Sequence, residues 1–370
     1  MKQLTKALAF GALLALVGGA GAEAQGTLKV GVQVPTTGAE ATYGQDMFNA
    51  AAIARDEINA HGGVLGKKIQ LIVGDSACDP QQAVNAAAKL VSQKVVAVVG
   101  GYCSGATVPT LKIYGDAHIP FVITAANSTA LIPADPGNAF LINSTGDQQA
   151  VTAVKFFKQK KIKTLAIVNE GDAYSQNLAD LTRTAWNKAG GKVVDFETVN
   201  AGEQDYSAVV TAINAKNPDA VFWTAYYADG GLFIRQLRQS GYQGIITVGD
   251  GSNSVKLFDI AGQAGEGVYA FSNPTAQFLP AAKSFIATYK KDYNAEPGPY
   301  APLTYDGMHL LAWAMQKAGT TDAAAVEKAL SSADGKHWLT GPIAFTKQNT
   351  LTRSNFVVLE GKSGAWIAAK

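Results

Sequence analysis

Hydrophobic and polar residues divide this chain into two alternating kinds of segment. Short apolar runs, typical of buried strands, are separated by longer stretches that favour helices. The strands predicted from the apolar runs cover residues 27–34, 68–74, 95–99, 120–124, 164–168, 192–194, 220–223 and 245–248. Strands spaced by helices predict parallel sheets with helices on both faces.

So many strands in one open sheet would be unusual, so we expect two lobes. The alternation pauses near residues 141–146 and again near 272–274, and these pauses predict where the chain crosses between the lobes. Two helices are also marked at their ends. The helix predicted over 44–61 has Asp46 in its first turn, and Asp79 followed by a proline is typical of a helix start.

The first 24 residues have the pattern of a secretory signal peptide. Lys2 and Lys6 precede an apolar run over 7–17, and Ala22 and Ala24 place small residues where a signal peptidase cuts. The run is shorter than the roughly 20 residues that span a bilayer, so cleavage after Ala24 is favoured over an N-terminal anchor. No cysteine lies at the end of this apolar run, which excludes attachment of a lipid to the mature N-terminus. We therefore expect a soluble periplasmic protein.

The predicted export and the charge balance limit the kinds of covalent bond, domain organisation and partner to be expected. Cys78 and Cys103 are the only cysteines, and in an oxidising compartment a single pair favours a disulfide. Cleavage leaves 346 of the 370 residues, enough for two lobes of ordinary size. Without Lys2, Lys6 and Glu23, the 31 basic and 29 acidic residues fall to 29 and 28, a net charge of +1. That balance argues against nucleic acid as a partner.

Polar and aromatic side chains follow most of the predicted strands. Ligands of open parallel sheets bind beyond the carboxyl ends of the strands, so these side chains are the candidates for a binding site. The set combines hydroxyls at predicted helix starts, one carboxylate between glycines, and tyrosines: Ser104, Ser128, Asp250, Tyr43, Tyr102, Tyr174, Tyr226 and Tyr300.

The candidate set suits a small zwitterion. Hydroxyls and free N–H groups at helix N-termini bind anions such as an α-carboxylate, and Asp250 would offset an α-ammonium. Tyrosine rings offer apolar faces with polar tips for an uncharged side chain. Each residue alone also has a structural explanation, since serine often caps helices and aspartate between glycines is typical of turns. Their common position at one sheet edge favours a site.

The stretches around these residues resemble the leucine/isoleucine/valine-binding proteins, the periplasmic receptors of branched-chain amino acid ABC transporters. The resemblance covers nearly all of the mature sequence. The matching stretches are Gly44-Gln-Asp, Asn59-Ala-His-Gly-Gly, Ala77-Cys-Asp-Pro-Gln-Gln-Ala-Val, Cys103-Ser104, Ala166-Ile-Val with Tyr174, Ala201-Gly-Glu-Gln-Asp-Tyr, Ile234-Arg-Gln-Leu-Arg, Ile260-Ala-Gly and Glu266-Gly.

The resemblance implies an α/β fold of the type I periplasmic binding protein class. This fold has two Rossmann-like lobes, three hinge crossovers and a cleft that closes on the ligand. The first lobe is then expected over 25–145 and 274–354, and the second over 146–273 and 355–370. The resemblance also implies that Cys78 pairs with Cys103.

Carried over by position, the resemblance implies a role for each candidate. The carboxylate-binding serine of the family falls on Ser104, and a ligand that uses both its hydroxyl and its amide falls on Ser128. The backbone carbonyl that accepts from the ammonium falls on Ala126. The ammonium ligands of the second lobe fall on Tyr226 and Asp250.

Tyr43 and Tyr174 fall at positions where the residues of the family cover the ligand. Three other positions depart from the family pattern. Asp250 stands where the leucine-type proteins have glutamate, Tyr102 where they have an aliphatic residue, and Tyr300 where they have a smaller aromatic ring. Two bulkier rings would shrink the side-chain pocket. We therefore expect valine, alanine or γ-aminobutyrate to compete well with leucine.

The function implied is a monomeric receptor that delivers its amino acid to an inner-membrane ABC permease and uses no cofactor or metal. Two alternatives stay open: a sensor that presents its ligand to a chemoreceptor or signalling protein, and a receptor for an aromatic acid, an amide or urea. Catalysis is not favoured. The four histidines lack metal-ligand spacing, residues 101–105 lack the spacing of a nucleophile elbow, and residues 62–67 lack that of a phosphate loop.

Overall fold

The computed structural model describes residues 26–333 and 338–370. The predicted signal peptide lies outside the described residues. Within the two described ranges, no helix combines the length and the hydrophobicity that a membrane crossing takes.

The first sheet has five parallel strands in the order β2-β1-β3-β4-β5. Residues 30–34 of the interior strand β1 are all buried, as expected for a strand covered by helices on both faces. The strands are β1 Thr27–Val34, β2 Lys68–Asp75, β3 Ala97–Gly100, β4 Phe121–Ile123 and β5 Ala139–Leu141. The helices between them are α1 Ala41–Ala60, α2 Pro80–Ser92, α3 Ser104–Asp116 and α4 Leu131–Ala134.

The second sheet has seven strands in the order β12-β11-β10-β9-β8-β6-β7, of which β11 and β12 run antiparallel to their neighbours. The strands are β6 Thr164–Asn169, β7 Lys192–Thr198, β8 Ala220–Trp223, β9 Ile245–Val248, β10 Tyr269–Ser272, β11 Val357–Lys362 and β12 Ala365–Ala368. The helices are α5 Gly146–Gln159, α6 Ser175–Lys188, α7 Ser207–Lys216, α8 Tyr227–Gln239 and α9 Lys256–Ala261.

The chain crosses between the two sheets three times. It leaves the first sheet after Leu141, returns after Ser272, and leaves again before Val357. The returning segment forms α10 Lys283–Tyr293, α11 Ala301–Ala318 and α12 Ala323–Ser331, and α11 packs against α1, β3 and β4. We call the first sheet with α1–α4 and α10–α12 the first lobe, and the second sheet with α5–α9 the second lobe. The residue-level boundaries given above stay a prediction.

The predicted elements agree with the structure where the apolar runs are long or well isolated. The strands over 27–34, 220–223 and 245–248 are confirmed to the residue, and the Asp79 side chain accepts the backbone N–H of Gln82 at 2.8 Å, as expected of a cap. The prediction for Asp46 was wrong: α1 begins at Ala41, three residues earlier than expected, so Asp46 lies beyond the first turn. Four strands were not predicted, namely β5, β10, β11 and β12.

The disulfide between Cys78 and Cys103 is confirmed. It joins the loop after β2 to the residue before α3, with the two Cα atoms 5.4 Å apart. Ala77 and Cys78 both have positive φ angles, 47° and 59°, so the bridge holds a tightly turned loop. Because Ser104 follows Cys103 directly, the bridge also fixes the start of α3.

Gly44 allows α1 to approach the loop after β1 closely. A Cβ at this position would lie 1.6 Å from the carbonyl oxygen of Pro35. We predict that Gly44→Ala lowers the free energy of unfolding by about 2 kcal/mol, because the backbone must shift to relieve the clash. Denaturant unfolding measures this change. Gly105→Ala is the control, since its nearest neighbour would be the Ala173 Cβ at 3.9 Å. Equal losses in both variants would refute the packing argument.

Candidate ligand-binding site between the two sheets

The carboxyl ends of the two sheets face each other, and side chains meet between them. The Tyr227 hydroxyl of α8 donates to the carbonyl oxygen of Ala39 in the first lobe at 3.0 Å. The rings of Tyr102, which follows β3, and Tyr226, which precedes α8, have centroids 5.9 Å apart. The candidate residues predicted from strand ends of both lobes therefore lie in one region.

Asp250 lies at the centre of this region. It follows β9 at the start of a short 3₁₀ turn, and 1 % of its surface is exposed. One carboxylate oxygen accepts the Tyr174 hydroxyl at 2.8 Å, and the other accepts the Tyr300 hydroxyl at 3.0 Å. The side-chain amides of Asn127 and Asn143 also donate to it, at 3.1 and 3.2 Å. Asn127 lies between β4 and α4 of the first lobe, so Asp250 is bonded across the interface between the lobes.

Burial raises the pKa of Asp250, and the hydrogen bonds from Tyr174, Asn143 and Tyr300 oppose that rise. The residues that border its cavity carry no basic side chain. A cation placed beside such a carboxylate would favour the ionised form and form a charge-assisted hydrogen bond with it. The position can therefore hold an ammonium group.

Ser104 and Ser128 lie on the first-lobe side of the same region. Ser104 is the first residue of α3, and its Oγ accepts the backbone N–H groups of Asn127 at 3.3 Å and Ser128 at 3.2 Å. The Ser128 Oγ accepts the N–H of Ala130 at 3.3 Å. A helix start leaves N–H groups without an intrahelical partner, so a carboxylate placed here would meet donors and a favourable helix dipole. The helix expected after Ser128 is a single turn that begins at Leu131.

The tyrosines form a connected cluster of rings around this region. Tyr43 packs on Tyr102 and Tyr300, with centroid distances of 4.9 and 5.4 Å, and Tyr174 packs on Tyr226 at 5.3 Å. Each ring contributes apolar surface, and the tilted or edge-on geometries are those that aromatic pairs prefer. The cluster gives the region an apolar wall.

The cavity enclosed by these groups is small. The volume open to the centre of a water molecule is about 10 Å³, close to what a single water needs. An amino acid can enter only if the two lobes separate first. Of the predicted site residues, those bordering the cavity are Tyr102, Ala126, Tyr174, Tyr226, Asp250 and Tyr300. Ser104, Ser128 and Tyr43 do not border it. Ser104 is bonded to the backbone of Asn127, which does border it, and Tyr43 packs on the rings of Tyr102 and Tyr300.

A second, larger cavity of about 290 Å³ lies at the mouth of the cleft and shares Tyr226 with the first. Four carboxylic acids border it: Glu40, Glu170, Asp172 and Asp229. Burial raises the pKa of Glu40 to about 8, and burial together with Asp229 raises that of Glu170 to about 10. Among the described residues, no cluster of three or more His, Cys, Asp or Glu side chains is arranged to hold a metal ion.

Sequence reasoning missed these acids and the two asparagines that bind Asp250. Asn127 and Asn143 follow β4 and β5, and a position after a strand is the one sequence feature that could have marked them as site residues. For Asn143 this feature was missing, because β5 itself was not predicted. Glu40 and Glu170 follow β1 and β6 in the same way. Acids in loops are usually solvated, so the sequence does not predict that Glu40 is buried and Glu170 half-buried.

Comparison with known proteins supports one family. A sequence profile described as periplasmic binding protein matches residues 27–365. An amino acid binding protein of Pseudomonas aeruginosa is 32 % identical over 90 % of this chain and 89 % of its own length. The Leu/Ile/Val-binding protein homolog 1 of Brucella melitensis is 30 % identical over 98 % of both chains.

The fold has solved counterparts. The crystal structure of the branched-chain amino acid transporter substrate-binding protein LivJ from Streptococcus pneumoniae, in complex with isoleucine, superposes with a TM-score of 0.85. That comparison covers 92 % of this chain and 98 % of the other, at 27 % identity. The resemblance inferred from sequence and the predicted fold class are thus confirmed, as is the prediction of a binding protein rather than an enzyme. Matched along almost its whole described length, the chain belongs to the periplasmic binding protein family.

Proposed function

We propose that this protein is a periplasmic receptor that binds a small neutral aliphatic amino acid between its lobes and delivers it, as a monomer, to an inner-membrane ABC permease. The observation that carries the proposal is the placement of Asp250. Its buried carboxylate, free of any basic neighbour at the cavity, lies near the serine-bearing start of α3. The relation to amino-acid-binding proteins supports the same ligand class.

The proposed ligand is bound at both of its charged ends. The α-carboxylate binds to Ser104 and Ser128, and the α-ammonium binds to the carbonyl oxygen of Ala126, to Tyr226 and to Asp250. The first lobe carries a half-site that is present before the ligand arrives, and the second lobe adds Tyr226 and Asp250 on closure. Closure excludes water, which strengthens each charge-assisted hydrogen bond. The ligand shifts the equilibrium by its higher affinity for the closed form, which the permease would recognise.

The rings of Tyr43, Tyr102, Tyr174 and Tyr300 limit the size of the ligand side chain. The Tyr102 hydroxyl is bonded to Glu40 at 2.9 Å and the Tyr300 hydroxyl to Asp250 at 3.0 Å, so neither ring swings aside without losing a buried hydrogen bond. The pocket should therefore favour short side chains.

A thermal-shift panel of amino acids with γ-aminobutyrate tests the function. A ligand at a hundred times its dissociation constant adds about 2.7 kcal/mol of stability. We predict that valine and alanine stabilise the protein and that leucine does not exceed them in affinity by as much as about a hundredfold, or about 2.7 kcal/mol. A hundredfold preference for leucine would reject the small pocket, and no response to any amino acid would reject the function.

The variant Tyr102→Leu sharpens this prediction. It removes a ring from the pocket wall, so it should raise affinity for leucine relative to alanine by about tenfold, near what one or two methylenes contribute. Tyr269→Leu is the matched control, because Tyr269 lies at the opposite end of β10 from the cleft and contacts Phe156. An unchanged leucine-to-alanine ratio in Tyr102→Leu would show that Tyr102 does not set ligand size.

A further inference from the structure

The four acids at the mouth of the cleft come from both lobes. Glu40 lies in the loop between β1 and α1 of the first lobe, whereas Glu170, Asp172 and Asp229 belong to the second lobe. We call these four residues the acid cluster. None of the described residues bordering their cavity is lysine, arginine or histidine. The closed arrangement therefore brings a fourth carboxyl group towards three others without a neutralising cation.

Glu40 is the buried member that the first lobe contributes. It is 4 % exposed, and its Oε2 accepts the Tyr102 hydroxyl at 2.9 Å. The titratable groups that face it are phenols and carboxylic acids, namely Tyr43, Tyr102, Glu170, Asp172, Tyr226, Tyr227 and Asp229. Phenols and carboxylic acids are either neutral or negatively charged, so none of these groups stabilises an ionised Glu40 by electrostatic attraction.

The second-lobe acids are already close to one another. Asp229 and Asp172 both add to the effect of burial in raising the pKa of Glu170, and Asp229 accepts the Gly202 N–H at 2.6 Å. Within the described part of the chain, Glu170 Oε1 and Asp172 Oδ2 are buried without a hydrogen-bond partner. Such an arrangement is tolerable when one carboxyl group carries a proton, as in other pairs of neighbouring carboxylic acids.

Closure changes the surroundings of Glu40 in two ways. With the lobes apart, water reaches its carboxylate and the three second-lobe acids are further away. With the lobes together, Glu40 loses water and approaches those acids, and both changes favour its protonated form. In the closed arrangement burial is the larger cause, and it raises the pKa of Glu40 from 4.5 to about 8.

We propose that closure of the cleft takes up a proton at the acid cluster, with Glu40 as the group that couples it to closure, so that the receptor binds its amino acid more tightly at acidic than at alkaline pH. The proposal rests on the function proposed above, because ligand affinity reports on closure only if the ligand is bound between the lobes.

The direction of the pH dependence follows from linkage. The pKa of Glu40 is higher in the closed form, so low pH favours closure. That advantage is complete below the ordinary pKa of 4.5 and is lost as the pH rises to about 8. Between these limits ligand affinity falls as the pH rises, by at most about tenfold per pH unit for one proton. Asp250 is also buried, and its pKa is also raised. Every variant compared in the test must therefore retain Asp250, so that any contribution from its titration is the same in all of them.

Isothermal titration calorimetry with L-valine tests the proposal. For the unmodified protein we expect affinity at least about fivefold lower at about pH 8 than at about pH 5.5, with net proton uptake on binding revealed by two buffers of different ionisation enthalpy. Glu40→Gln preserves the shape and the contact with Tyr102, and it should abolish most of both effects. Glu296→Gln is the control, since Glu296 is exposed and paired with Lys290 at 2.6 Å. It should behave as the unmodified protein.

Small-angle scattering of the ligand-free protein separates failure of the proposal from failure of the function. The closed fraction should be larger at the acidic pH, giving a smaller radius of gyration, and Glu40→Gln should remove that difference. If L-valine binds at no pH but the scattering shows this pattern, the assigned ligand is wrong and proton-coupled closure stands. Scattering that is independent of pH overturns the proposal, as does valine binding without proton uptake.

Discussion

Replacing Asp250 with asparagine is expected to weaken amino-acid binding by at least about a hundredfold, which corresponds to about 2.7 kcal/mol. The substitution keeps the size of the side chain and an oxygen that accepts from Tyr174 or Tyr300. It removes the negative charge that the proposed ammonium contact needs, and no other acidic side chain among the described residues borders the cavity to replace that charge. Calorimetric titration of the variant with valine or alanine measures the loss, and circular dichroism checks that the fold is intact.

Two further variants make the result specific. Asp250→Ala should lose at least as much affinity, but it also leaves the buried donors of Asn127 and Asn143 without their acceptor. Asp306→Asn is the matched control, because Asp306 is equally buried and accepts the backbone N–H groups of residues 339 and 340 away from the cleft. It should alter stability and leave affinity unchanged. Wild-type affinity in Asp250→Asn would show that the ammonium binds elsewhere.

Removing the disulfide is expected to have the largest effect on stability. The bridge joins residues 25 apart, and a loop of that size lowers the entropy of the unfolded chain enough to contribute roughly 3 kcal/mol. We predict that the double variant Cys78→Ala/Cys103→Ala loses about this much free energy of unfolding. Because Cys103 directly precedes Ser104 at the start of α3, amino-acid affinity should fall as well.

Denaturant unfolding of three samples tests this prediction. The samples are the oxidised protein, the same protein with a thiol reductant, and the double variant. Reductant should bring the first sample close to the third and should not change the third, which contains no other cysteine. A loss below about 1 kcal/mol in the double variant would mean that native-state strain cancels the entropic gain.

The parts of the fold that could be predicted are those in which local sequence and tertiary surroundings agree. Strand β1 has apolar residues at every second position, Leu28, Val30, Val32 and Val34, and its residues 30–34 are buried on both faces, so its bounds were predicted correctly. Strands β11 and β12 lie at the edge of the second sheet, with exposed and buried residues mixed and no long apolar run. Their membership of that sheet depends on a chain crossing, which no local pattern encodes.

The candidate site likewise has residues that the sequence predicts and residues that it does not. Topology alone indicated that Ser104 and Asp250 lie at strand ends, and the family resemblance assigned their roles, which remain predictions. Asparagine after a strand is typical of a turn, so the sequence does not mark Asn127 as a partner of Asp250, and only the three-dimensional structure shows its amide on Asp250. The burial of Glu40 depends on residues distant in sequence and cannot be inferred from its own segment.

A crystal structure of the protein with bound L-valine tests the central claim most directly. We predict that the α-ammonium lies about 3 Å from a carboxylate oxygen of Asp250, and that the α-carboxylate accepts from Ser104 and Ser128 at a similar distance. An Asp250 side chain that pointed away from the ligand, or a valine carboxylate bound at a place remote from the start of α3, would contradict the proposed binding mode.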